Sequence, residues 1–317
     1  MRNAFVHGVR KGSAMKRAKN RVGERNRKVF YALLLAFPVL QFIIFYVCVN
    51  LNSILLAFKV YDYDTGAYSF AGFSNFTFVF NQFGTVIFQS AIKNSLILYA
   101  FTLGIGVTLA LLFSYYIHKR FPGHSVFKVI LFLPSVISAV AMVLTFKYFT
   151  ERAIPAAWEF LFDKEIEGLL ANPNTTKGTL IFYTLWAGFG TQILMYIGAM
   201  NNVSDSVKEA AQLDGAGALR EFFYIIIPSI YPTIVTFIVV GVAGIFTHQM
   251  NLYSFYGTSA AAELYTFGYY LYVHTKVATS YADFPELSAL GIVLTVVAVA
   301  MTMTVKYLLE KFGPSTD

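Results

Sequence analysis

Residues 29–58 read VFYALLLAFPVLQFIIFYVCVNLNSILLAF, a run without a single Asp, Glu, Lys or Arg. A helix of about 20 mostly apolar residues crosses a bilayer, so the run predicts a membrane span over 30–58. It is about twice as long as a secretory apolar region, which runs roughly 7–15 residues, and no small-residue cleavage site follows it. The segment is therefore expected to stay as an anchor. A helix is required there because it satisfies its own backbone hydrogen bonds, which lipid cannot do.

Working outward, the pattern repeats. Further apolar stretches near 94–117, 127–149, 178–200, 229–250 and 288–309 predict spans. Composition agrees, with 57% hydrophobic and 13% charged residues, whereas a soluble domain carries about a quarter charged. No ten-residue segments alternate at period two, which argues against an outer-membrane barrel. The predicted fold class is an all-α membrane protein of about six transmembrane helices. Its parts are a basic tail at 1–28, a helical domain at 29–312 with a loop at 201–228, and a short C-terminal tail at 313–317.

Charge sets the orientation. The first residues carry Arg2, Arg10, Lys11, Lys16, Arg17, Lys19, Arg21, Arg25, Arg27 and Lys28 against Glu24 alone. With that tail in the cytoplasm, the loops near 118–128 and 201–228 and the C-terminus share its side, and most of the chain's 24 Lys and Arg fall there. This is the positive-inside bias. The loop 150–177 on the other side is acidic, with Glu151, Glu159, Asp163, Glu165 and Glu167. The same tail could instead bind anionic lipid or nucleic acid. The topology reading is preferred because it alone accounts for the side on which the other charges fall, and no nucleic-acid partner is expected.

Cys48 is the one cysteine and lies inside the first span, so no disulfide forms within the chain. Metal-ligand spacings, the Gly-rich phosphate loop of an ATPase and a Gly-x-Ser-x-Gly elbow are all missing. No catalytic residue, metal or cofactor is expected on this chain, and any ATP chemistry must belong to another polypeptide.

The loop between the fourth and fifth spans carries the sharpest local signal: NNVSDSVKEAAQLDGAGALREFFYIIIP at 201–228. Ser206-x-x-Glu209 reads as a capping box that opens a helix. Val207, Ala210, Ala211 and Leu213 give a small, shallow apolar face. Asp214-Gly215-Ala216-Gly217 is a break, where Gly permits a left-handed dihedral. A second amphipathic stretch, Leu219 to Ile227, ends at Pro228, where the chain turns into the next span. Physics alone leaves two readings, a capped helix lying along the membrane surface or a helix offered to another protein.

The spacing Glu209-Ala210-Ala211, Gly215, Ile225, Ile227, Pro228 resembles the EAA loop of permeases in binding-protein-dependent ABC importers, with Ile227 in place of the usual Leu. Asp214-Gly215-Ala216 and Phe222-Phe223 are similar to the sugar branch. So are the run Phe70-Ala71-Gly72-Phe73-Ser74-Asn75-Phe76, Asn94-Ser95 at the second span and Leu133-Pro134 in the third. The resemblance is to the maltose-type first permease family, in its shorter six-span form. It implies a type I ABC importer permease fold in a bacterial inner membrane. It also implies a homologous second permease, an ATP-hydrolysing subunit dimer that holds ATP and Mg, and an extracytoplasmic solute-binding protein that delivers a sugar. Coupling would rest on Glu209, Ala210, Ala211, Asp214, Gly215, Ile225 and Pro228. Glu209 could pair with a basic group on the ATPase or only complete the capping box.

Rare polar groups in the spans are candidates for the translocation path. They are Ser135 and Ser138 in the third span, Thr184, Gly188 and Thr191 in the fourth, Gly241 in the fifth, and His248 with Gln249 at its end. Tyr183 and Trp186 could stack on a sugar. Each of these fits helix packing equally well. No Asp, Glu or Arg lies deep in a span, and Lys147 and Lys306 sit near span ends, where they can snorkel. This favours a neutral solute and an external energy source. The alternative is an ion-coupled carrier or channel without an ATPase, which would call for a membrane carboxylate. Topology is directly testable: a cysteine at position 167 is expected to label from outside the cell and one at position 16 is not. The reverse pattern would overturn the arrangement.

Overall fold

The computed structural model describes residues 27–277 and 280–314. The tail read as a topology signal therefore lies outside the described residues, apart from Arg27 and Lys28 at the start of the first helix. Among the described residues, four helices are individually long and apolar enough to cross a membrane: α1 (Arg27–Leu56), α3 (Val86–His118), α6 (Pro173–Asn201) and α12 (Asp283–Phe312). Two bent pairs bring the number of spans to 6 when each pair is one crossing. They are α4 (His124–Val136) with α5 (Ala139–Phe162), and α8 (Ala218–Ser229) with α9 (Tyr231–Ala243). Between the long elements lie a hairpin, β1 (Lys59–Asp62) with β2 (Ala67–Phe70), and the short helices α2 (Ser74–Gln82), α7 (Asp205–Leu213), α10 (Leu252–Tyr256) and α11 (Phe267–Val277).

The third span is not one helix over 127–149. It bends by 111° between α4 and α5, where Ile137 (ψ 145°) and Ser138 (ψ 130°) are extended. Pro134, in the last turn of α4, cannot donate to the carbonyl four residues back and crowds it. A second bend of 68° separates α8 from α9 at Ile230. Pro228 in the last turn of α8 and Pro232 in the first turn of α9 flank it; at the latter a missing N–H costs nothing.

The fifth span also ends earlier than the apolar run to 250 suggests. Helix α9 stops at Ala243, Gly244 follows, and the chain turns through Met250 and Asn251 at φ 52° and 54°. The next stretch, expected as a plain loop, folds back into the bundle as α10 and α11. Met250, Leu252, Phe255, Phe267, Tyr269 and Val273 are all buried. Polar side chains hold this segment in place. Asn94 Nδ2 donates to the carbonyls of Glu263 and Tyr265 at 2.8 and 2.9 Å, and Thr266 Oγ1 donates to the His248 carbonyl at 2.8 Å. Asn94 therefore does not open the second span. That helix begins at Val86, with Thr85 Oγ1 accepting from the Phe88 N–H, and Asn94 lies buried two turns inside. Gln89, Ser90 and Lys93 disguise those first turns as loop.

Helix α1 is loosely attached, with every residue from 27 to 55 exposed in the isolated chain. Its far end is latched by Asn75, whose Nδ2 donates to the carbonyls of Ala57 at 2.8 Å and Lys59 at 2.7 Å. This is the asparagine of the Gly72-x-x-Asn75-Phe76 run, and Gly72 just before it takes φ 59°. The hairpin then ties α1 to the start of α12. Tyr63 and Ser280 hydroxyls meet at 2.6 Å, and Tyr68 Oη donates to the Tyr281 carbonyl at 3.0 Å.

Gly268 allows the closest backbone approach in the returning segment, since a Cβ there would run into the carbonyl of Thr247. Gly268→Ala is expected to destabilise the bundle by about 1–3 kcal/mol. Gly188→Ala, which meets nothing within 4 Å, serves as the near-neutral control. Thermal unfolding of the purified protein in detergent compares the two, and equal melting temperatures would refute the close packing.

Candidate functional site

The 201–228 loop folds as α7, a tight turn and α8, and α7 buries none of its residues. The expected capping box does not form. Ser204 (φ −56°, ψ 132°) is the N-cap, so the helix starts at Asp205 and Ser206 lies inside the first turn, its hydroxyl 2.7 Å from that of Ser204. Two features favour the earlier start. Asp205 places a negative charge at the helix N-terminus, and Lys208 reaches back to it at 2.8 Å. The Lys208 ammonium holds the Asp205 carboxyl below the usual carboxylate range. Glu209 is consequently free of any capping duty and stands exposed, with no hydrogen bond or ion pair among the described residues.

The end of α7 is a Schellman turn. The Ala216 N–H donates to the Ala211 carbonyl at 2.9 Å, the Gly215 N–H donates to the Gln212 carbonyl at 3.0 Å, and Gly215 takes φ 76°. Asp214 occupies the position just before it. The turn folds α7 back beside α8 and leaves a groove of about 340 Å³ lined by Ala211, Asp214, Ala216, Arg220, Tyr224 and Ile225. Leu213, Leu219, Phe223 and Tyr224 are exposed around it, and Leu213 is 89% exposed. Ala210 is open, while Ala211 and Ile225 are half-buried. Pro228 sits at the bend leading into α9.

In contrast to α7, α8 is fixed. Glu221 is 1% exposed and accepts from Lys119 Nζ at 3.0 and 2.9 Å. The sequence does carry a signal for this residue, an acid set in the apolar stretch 219–227 that continues into a span.

The candidate path residues are scattered. Thr184, Gly188 and Thr191 lie along one stripe of α6, with Thr184 buried and Gly188 and Thr191 open. Ser135 packs over Gly190, where a Cβ would come within 2.6 Å of its hydroxyl. Ser138 is exposed at the α4–α5 bend. Gly241 faces the Tyr99 ring, 3.2 Å from where a Cβ would stand. His248 is exposed in the turn after α9, and its Nδ1 accepts from the Met250 N–H at 3.0 Å. Tyr183 is 2% exposed and wedged between Phe146 and Phe255. Trp186 is half-buried beside Phe182. No group of His, Cys, Asp or Glu among the described residues is suited to hold a metal ion.

The chain is a multi-span helical bundle with an exposed helix, α7, folded back by a tight turn beside the anchored α8. The chain belongs to the family of binding-protein-dependent transport system inner membrane components, whose profile matches residues 105–317. Among its relatives is the arabinooligosaccharides transport system permease protein AraP of Bacillus subtilis (strain 168), 24% identical over 270 residues, which cover 84% of this chain and 83% of that one. The maltose/maltodextrin transport system permease protein MalF of Escherichia coli (strain K12) is 28% identical over 165 residues, 50% of this chain and 31% of that longer one. The fold matches a chain in the crystal structure of a bacterial ABC transporter involved in the import of the acidic polysaccharide alginate. That match has TM-score 0.74 and 20% identity, over 91% of this chain and 97% of that one. The chain thus has the type I ABC importer permease fold and is a transport subunit rather than an enzyme.

Gly215→Val puts a β-branched residue at positive φ, at a cost of about 1–2 kcal/mol. Amide exchange at Gly215 and Ala216 is expected to quicken about tenfold, with the bundle's melting temperature unchanged because α7 buries nothing. Unaltered exchange would show that the turn does not depend on glycine.

Proposed function

We propose that this chain is the membrane-spanning subunit of an ATP-driven importer for a sugar or oligosaccharide, and that α7 with its Schellman turn docks on a separate ATPase. The observation that carries the reading is that no residue of α7 is buried in its own chain while Glu209 and Ala210 stand exposed and Ala211 half-buried at the family spacing. Small residues allow close approach, and the free Glu209 carboxylate offers a charge-assisted contact to a basic group. ATP and Mg reside on the ATPase dimer. A homologous second permease completes the path, and an extracytoplasmic binding protein delivers the solute. The tail, the 118–124 turn, the 201–228 loop and the C-terminus face the cytoplasm, as the charge bias requires.

The sugar class is supported by relatives named for arabinooligosaccharides and for maltose and maltodextrin. A neutral solute is supported by α6 and α9, which carry hydroxyls and no Asp, Glu or Arg; buried charge would be costly there. The likeness to an alginate importer bears on the fold alone. The open stripe of Gly188 and Thr191 on α6 is the face assigned to the path.

The test is uptake of labelled oligosaccharide by vesicles carrying the assembled complex, with binding protein and ATP supplied. Glu209→Lys is expected to abolish coupling, and Gly188→Trp or Thr191→Trp to block uptake while the ATPase still copurifies. Normal uptake in Glu209→Lys would remove α7 from coupling, normal uptake in both Trp variants would remove that stripe from the path, and uptake without any ATPase would favour an ion-coupled carrier.

A further inference from the structure

The coupling element has two mechanically different halves. Helix α7 has no buried residue, whereas the first turn of α8 is fixed at several points to the end of α3. Tyr115 Oη donates to the Ala218 carbonyl at 2.9 Å. The Tyr115 and Phe222 rings pack at 4.8 Å, with Phe222 3% exposed. Both carboxylate oxygens of the buried Glu221 accept from Lys119 Nζ. The other flank of α7 reaches the same place, because His118 Nδ1 and Asn201 Oδ1 meet at 2.8 Å and join the ends of α3 and α6.

The covalent connections of α7 run through residues 202–204 into α6 and through 214–217 into α8. Both routes converge on residues 115–119. We propose that the Lys119–Glu221 ion pair is the pin through which movement of α7 is delivered to the second span, making Lys119 and Glu221 positioning residues for transport. The inference rests on the importer reading above. A buried carboxylate tolerates no loss of its counter-ion and accepts few alternative geometries. The pair therefore fixes the register of α8 against α3 more strictly than apolar packing would. The Lys119 side chain, 22% exposed against 2% for that of Glu221, keeps water access at one end, so the contact holds without sealing the site.

The experiment uses the intact complex in proteoliposomes and reads solute transported per ATP hydrolysed, together with capture of the ATPase and basal hydrolysis. Glu221→Gln and Lys119→Gln are each expected to lower the transport-to-hydrolysis ratio by about tenfold, within the range that packed coupling elements carry. Capture and basal hydrolysis are expected to persist, since neither residue belongs to α7. The reversed pair, Lys119→Glu with Glu221→Lys, is expected to restore the ratio to within about twofold. An unchanged ratio in the single variants, a loss of uptake in proportion to lost ATPase capture, or no recovery in the reversed pair would overturn the proposal. Absence of ATP-dependent uptake by the unmodified complex would instead overturn the importer reading, and this inference with it.

Discussion

Lipid offers no hydrogen-bond partner to a peptide group, so each irregular stretch within the bundle must find one in the protein. This requirement explains the placement of the few polar side chains that the spans bury. Asn94 satisfies two carbonyls of the returning segment, Thr266 satisfies the His248 carbonyl, and Asn75 closes the end of α1. Ser114 Oγ, fully buried, donates within α3 and lies 3.3 Å from the Ile193 carbonyl of α6. His248, a candidate path residue, is also part of the bend at 244–251, its carbonyl accepting from Thr266 Oγ1 and its Nδ1 from the Met250 N–H. Small residues complement them. Gly190 admits Ser135, and Gly268 admits the Thr247 backbone.

The same logic fails on purpose at the 201–228 loop. Over α7 and its turn the backbone is satisfied locally, by a helix and a Schellman turn, and the first contribution from the bundle comes at Ala218, whose carbonyl accepts from Tyr115 Oη. What remains is a face of exposed side chains around a groove, joined by short connections to α6 and to the tightly held α8. Compliance and stiffness sit next to each other, divided at Gly217. The ion pair beneath α8 costs desolvation of two charges, so its presence is better explained by what it positions than by net stability.

Much of this was readable from residue order. Long uncharged runs gave the spans, because the bilayer imposes a length on them, and Gly215 gave the turn, because only a left-handed residue closes it. The bends were harder. Pro134 was visible, but a proline in an apolar run can kink, end or leave a helix nearly straight, and tertiary contacts decide among these. The returning segment was missed because α10 and α11 are short and their burial depends on Asn94, far away in sequence. Ser206 was misread as a cap because Ser204, an equally good cap, precedes it and the Asp205–Lys208 pair selects the earlier start. Tyr183 suits a sugar contact by type, while the packing of Phe146 and Phe255 around it is visible only in the folded chain. Glu221 needed Lys119 from another span before its burial made sense.

Because no residue of α7 is buried, the fold places few demands on its side chains beyond the Asp205–Lys208 pair and the glycine at 215. The stretch between Ser204 and Gly217 is in effect a cassette. On the proposed docking role, replacing it with the matching loop of another permease would change which ATPase the subunit accepts and leave the folded bundle standing. Partner choice and structural stability would then be written in separate parts of the chain, and either could drift without dragging the other along.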